Sequence, residues 1–117
     1  MILKATEIIQ VDQGIKMYHN DHATYYELLG LFVQELKAYA EELSRIKSEK
    51  DIKQACFIAH KIRGSASYCA IPVLHQTAQS VEDNLLANLL ADYDNQVESL
   101  LMVIGQVLDA YSVIDKT

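Results

Sequence analysis

The stretch IKQACFIAHKIRGSASYC, residues 52–69, decides the fold. Ile52, Ala55, Ala59, Ile62, Ala66 and Cys69 recur at intervals of three and four, so on a helix of 3.6 residues per turn they share one apolar face. Alanines dominate that face. Small side chains let a neighbouring backbone come close, so this helix is expected to pack tightly against its partners. Asp51 stands where an N-cap belongs.

Working outward, the charged break Ser48-Glu49-Lys50-Asp51 separates this segment from an upstream stripe of Tyr25, Leu29, Phe32, Leu36, Tyr39, Leu43 and Ile46. That stripe has the spacing of an amphipathic helix, with Asp21 placed to cap its start. Downstream, after a short turn at Ala70 and Ile71, Pro72 suits the first turn of a third helix, whose apolar face is Leu74, Ala78, Val81 and Leu85. A polar junction from Ala91 to Asp94 precedes a fourth stripe of Tyr93, Val97, Leu100, Ile104, Val107, Tyr111 and Ile114. Residues from Leu3 to Tyr18 are expected to add a short helix covering one end.

The expected fold is therefore all-α: an antiparallel, up-down-up-down four-helix bundle with an additional short N-terminal helix, forming a single domain over residues 1–117. A two-chain coiled coil is the rival architecture. Short links between four amphipathic segments favour folding back within one chain.

Composition removes several function classes. Half of the residues are hydrophobic and 22% are charged, which fits a globular chain and not a disordered one. With 10 Lys and Arg against 16 Asp and Glu, the net charge of −6 argues against a nucleic-acid reader, which needs a basic surface. Cys56 and Cys69 both fall in helical sequence, so they read as reduced, packed thiols rather than a disulfide framework. No signal-peptide pattern or apolar run of bilayer length is visible, so the chain is expected to be cytoplasmic and not inserted in a membrane. Met1 leans towards a free-standing protein rather than a domain excised from a longer one.

The chemistry sits opposite the alanine face. His60 precedes Ile62 by two residues, which places it about 200° around the helix from that core position. It points outward. Arg63 and Gly64 follow on the same outer face, and Ser67 lies one turn further. An imidazole, with a typical pKa of about 6.5, offers an unprotonated nitrogen near neutral pH as a nucleophile towards phosphorus. Arg63 can hold phosphoryl oxygens, with Lys61 as a second positive charge. Gly64 omits a side chain where a partner would approach, at a cost of roughly 1 kcal/mol relative to alanine in a helix.

The run Ala59-His60-Lys61-Ile62-Arg63-Gly64-Ser65-Ala66 resembles the phosphoacceptor helix of histidine-containing phosphotransfer (HPt) domains, in which a histidine is followed by an aliphatic residue, a basic residue and glycine. The resemblance spans about Asp21 to Leu90, with Leu29-Gly30-Leu31-Phe32 and Leu36 falling on the family's first bundle helix and Val73 to Asp83 on its third. It implies that His60 is phosphorylated, that Arg63 takes the basic position, and that Gly64 takes the small one. It further implies a polar side chain from the next helix orienting the histidine, with Glu82 the first candidate and Gln79 the second. Ala70 departs from the pattern, because the family often has glycine near the end of this helix; an altered helix end is expected.

With no glycine-rich phosphate loop, nucleotide-binding pattern or cluster of acidic metal ligands, the chain is expected to need no cofactor of its own. It reads as a phosphoryl carrier rather than an autonomous kinase. The implied partners are a response-regulator receiver domain, a hybrid sensor histidine kinase, or both, with Mg2+ supplied in the receiver. Phe57, one turn before His60, fits either an apolar docking patch shared with Ser67 or the edge of the core. His19 and His22 have chelating spacing but no clear further ligands, and with His75 they read as surface or structural residues. Two rival functions remain: a non-catalytic adaptor that binds a kinase or receiver without carrying phosphate, and a helical oligomerisation module using the Tyr93–Ile114 stripe.

Overall fold

In a computed structural model of the chain, residues 3–87 and 92–116 are described. Among them the regular elements are all helices: α1 (Ala5–Ile8), α2 (Val11–Met17), α3 (His22–Glu49), α4 (Ile52–Tyr68), α5 (Pro72–Leu86) and α6 (Tyr93–Val113). α3 to α6 form the expected bundle. α4 packs on α5, α5 on α6, α6 on α3 and α3 on α4.

The helix starts follow from the sequence. The Asp21 carboxylate accepts from the Thr24 backbone N–H at 3.1 Å, and Asp51 does the same for Gln54 at 3.1 Å. The Thr24 amide and hydroxyl bonds hold the Asp21 carboxyl below its ordinary value. Pro72 occupies the first turn of α5, where no N–H is missed. α3 ends at the charged break, with Lys50 in the left-handed region and its ammonium paired with Asp94 at the start of α6. Ala91, in the predicted junction, and Leu90, at the edge of the family-like region, lie outside the described residues.

The core is the set of stripes with small shifts. Ile58 and Val33 join it, whereas Tyr39, Ile52, Tyr111 and Ile114 are only partly buried. On α6 the buried edge moves from Tyr111 to Ala110, close to where α1 rests against that helix. Ala55, Ala59 and Ala66 of α4 and Ala78 of α5 are buried, as expected of small residues that let α4 pack closely on its neighbours, among them α5. Burial pushes the Cys69 thiol up to about 11 and the Cys56 thiol upward, so neither is a thiolate at neutral pH.

The N-terminal segment differs from expectation. Leu3 to Tyr18 is not one helix but two, because the chain breaks at Ile9 and Gln10 to reach α4. Ile9 is extended and fully buried, and the Gln10 N–H bonds to the Ala70 carbonyl at 2.9 Å instead of continuing a helix. The Tyr18 hydroxyl donates to the Tyr68 carbonyl and the Tyr25 hydroxyl to the Cys69 carbonyl, each at 2.8 Å. Three successive carbonyls at the end of α4, which a helix would leave without partners, are thus satisfied.

Ala70 closes this helix end in the left-handed region, at φ 59°. The Ile71 N–H returns to the Ala66 carbonyl at 3.1 Å, the long bond of a Schellman ending that usually places glycine where Ala70 stands. The altered helix end is therefore a strained residue within an ordinary cap geometry. Ala70→Gly is predicted to stabilise the protein by about 1 kcal/mol, seen as a higher denaturation midpoint. Gly14 is the opposite case, since a Cβ there would lie 2.1 Å from Cε1 of Tyr25. Gly14→Ala should lower stability by about 1–3 kcal/mol in the same assay, because the buried Tyr25 ring has to move off its carbonyl.

Candidate functional site

The site grows from the α4–α5 seam. α4 turns its alanines inward, so His60 projects from the opposite face with its side chain 68% exposed. α5 lies close enough for one of its buried residues to reach around α4. That residue is Glu82, whose side chain is only 9% exposed.

Glu82 Oε2 lies 2.7 Å from His60 Nδ1, and its other oxygen accepts from Arg63 Nη1 at 3.0 Å. One carboxylate therefore touches both residues that the motif singled out. As a carboxylate it can only accept, so Nδ1 is assigned the N–H, and Nε2 is the ring nitrogen not engaged by Glu82. Arg63 neutralises and orients the same carboxylate, which a buried position requires. Gln79, the second candidate, makes no bond to His60 among the described contacts.

Lys61 is exposed and leans back along α4, with Nζ 5.5 Å from the centre of the Phe57 ring. Phe57 itself is 53% exposed, which separates it from the core. Gly64 has a helical backbone and no neighbour within 4 Å of where a Cβ would stand. Nothing inside the protein requires a glycine there. Ser67 is exposed two turns after His60, on the rim of a shallow depression of about 420 Å³ lined by His60, Arg63, Gly64, Ser67, Tyr68 and His75.

Tyr68, which sequence reasoning did not single out, and His75, read there as a surface or structural residue, also line this depression. His75 stands two turns before Glu82 on α5, so the same face that delivers the carboxylate also delivers the imidazole. That spacing was visible, but its meaning depended on the α4–α5 register. His19 and His22 are exposed, and the described residues hold no group of three or more His, Cys, Asp or Glu side chains suited to a metal ion.

The Hpt domain family model matches residues 27–112, which include most of α3, all of α4 and α5, and nearly all of α6. The chain belongs to the Hpt domain family. The match starts slightly later than the region of resemblance read from the sequence and runs past its end, taking in most of α6 and leaving out α1 and α2. No curated protein and no solved structure matches the chain. Hpt domains serve histidine phosphotransfer in two-component systems, where they interact with receiver domains and kinases. No helix among the described residues is long and apolar enough to cross a membrane.

With no internal contact to lose, Gly64→Ala should stabilise α4 by about 1 kcal/mol through helix propensity alone. Thermal denaturation checks this; a destabilised variant would mean that the glycine serves the fold.

Proposed function

We propose that His60 is the phosphoacceptor of a phosphorelay carrier. The observation that carries this reading is the 2.7 Å contact of Glu82 with Nδ1 of an otherwise exposed imidazole. In the proposed step the Nε2 lone pair attacks phosphorus of a receiver's aspartyl phosphate. The Nε2–P bond forms as the P–O bond to the aspartate breaks, the aspartate leaves as a carboxylate, and Nδ1–H stays bonded to Glu82. The positive charge that the ring acquires lies against that carboxylate, which stabilises the product.

The reverse transfer, to the same or another receiver, uses the same contacts in the opposite order. Glu82 is a positioning residue, since it acts through His60. Arg63 keeps Glu82 in place and has further N–H groups for phosphoryl oxygens, while Lys61 adds charge beside the docking face. Mg2+ belongs to the receiver, which also supplies most of the catalytic apparatus. Gly64 and Phe57 shape the surface on which that partner sits.

α4 supports this assignment electrostatically. It carries Lys53, Lys61 and Arg63 and no acidic residue, in a chain whose net charge is −6. A hybrid sensor kinase bearing a receiver domain is a second source of phosphate with the same chemistry, and a cytoplasmic location suits both.

Receiver domains charged with acetyl phosphate provide the test. His60→Gln should abolish the acid-labile label while leaving helicity intact, and persistent label in that variant would move the acceptor elsewhere. Glu82→Leu should slow transfer on the order of tenfold, the loss expected for one hydrogen bond to a charged group, whereas Glu82→Gln should retain most of the rate because an amide oxygen can still accept from Nδ1. Binding without transfer in the unaltered protein would instead favour an adaptor.

A further inference from the structure

The depression beside His60 is longer than phosphoryl chemistry needs. Ser67 is seven residues after His60, and His75 is seven before Glu82, so the far end lies about 10 Å along each helix from the reacting groups. A phosphoryl group on His60 does not span that distance. Yet the far end is not inert surface, because it gathers the Ser67 hydroxyl, the His75 imidazole and Tyr68, which is 66% exposed.

We propose that Ser67, Tyr68 and His75 form a specificity subsite that receives an acidic side chain of the receiver partner. The proposal rests on the phosphocarrier reading of His60 and adds the contact by which one receiver is preferred over another. Three observations converge on acidic chemistry. Beyond His60, whose Nδ1–H is taken by Glu82, every polar side chain lining the depression can donate a hydrogen bond: the Arg63 guanidinium, the two hydroxyls and the His75 imidazole. Among the described residues no carboxylate lines it, and Glu82, on the same face of α5, is occupied by His60 and Arg63. α4, which forms most of the wall, has only basic charges, whereas the chain as a whole is acidic and repels an acidic partner elsewhere.

Gly64 lies between the two ends. With nothing within 4 Å of its missing Cβ, it keeps the depression continuous from His60 to His75. A partner whose active site covers His60 therefore has room to lay an adjacent side chain along α4. Ser67 and Tyr68 are exposed and His75 is half-buried, so their truncation leaves the core intact.

The test separates loading from docking. Phosphoramidate, a small donor that needs no protein partner, is used to charge the unaltered protein and the Ser67→Ala, His75→Ala and His60→Gln variants, with phosphohistidine read by 31P NMR. In parallel, transfer is timed from the receiver domain that charges the unaltered protein fastest. Ser67→Ala and His75→Ala should load from phosphoramidate at the original rate, but each should raise KM for the receiver about tenfold with kcat nearly unchanged. In a double-mutant cycle against an Asp→Asn and Glu→Gln scan of that receiver, one carboxylate should lose its effect once His75 is alanine. An unchanged KM in both variants, or a cycle in which every receiver carboxylate is additive with His75, would overturn the subsite. Phosphoramidate label persisting in His60→Gln would instead overturn the His60 reading.

Discussion

A single carboxylate at the seam of α4 and α5 ties the bundle to its chemistry. Glu82 is buried, and a buried carboxylate without partners would be expensive, so its two oxygens must be satisfied where they stand. His60 and Arg63 satisfy them from one helix, at 2.7 Å and 3.0 Å. The arrangement requires α5 to lie close against α4, which the buried alanines at 55, 59, 66 and 78 permit. A leucine at a fully buried position such as Ala59 or Ala78 would overpack the core around this seam. Small residues in the core and an oriented histidine on the surface are thus two sides of one constraint.

The helix that carries His60 is also held at both ends. Asp51 caps its start, and Tyr18, Tyr25 and the Gln10 amide satisfy the last carbonyls. Gln10 and Tyr18 give the N-terminal segment, which lies outside the family match, a physical role: with Tyr25 of α3 they anchor the end of α4. His60 is displayed on a helix held at both ends, and among the described residues no lid or enclosed pocket covers it. Such a surface suits a protein that is a substrate for another protein's active site, where orientation of the attacking nitrogen is the main contribution the carrier can make.

Much of this was legible in the sequence. The stripes through Leu29 and Leu36, Ala59 and Ile62, Leu74 and Val81, and Val97 and Val107 gave the four helices, because long amphipathic repeats are the strongest signal a sequence holds. Asp21, Asp51 and Pro72 marked the helix starts for local reasons that tertiary packing did not override. The outward direction of His60 followed from angular arithmetic, and the candidacy of Glu82 from resemblance. The break at Ile9 and Gln10 was hidden, since it is caused by a carbonyl sixty residues away. The placement of His75 beside Ser67 was hidden as well, because the register of two packed helices is set by side-chain interdigitation and not by either helix alone. Ala70 stood out as an exception to a pattern, and its left-handed backbone explains why glycine would suit the position.

The central claim is that Glu82 holds the proton on Nδ1 and leaves Nε2 of His60 as the attacking atom. The most direct measurement is 15N and 31P NMR of the uniformly 15N-labelled, phosphorylated protein, which identifies the ring nitrogen bonded to phosphorus. The account predicts phosphorus coupled to Nε2 of His60, with Nδ1 still carrying its hydrogen. Phosphorus on Nδ1, or on any other residue, would contradict it.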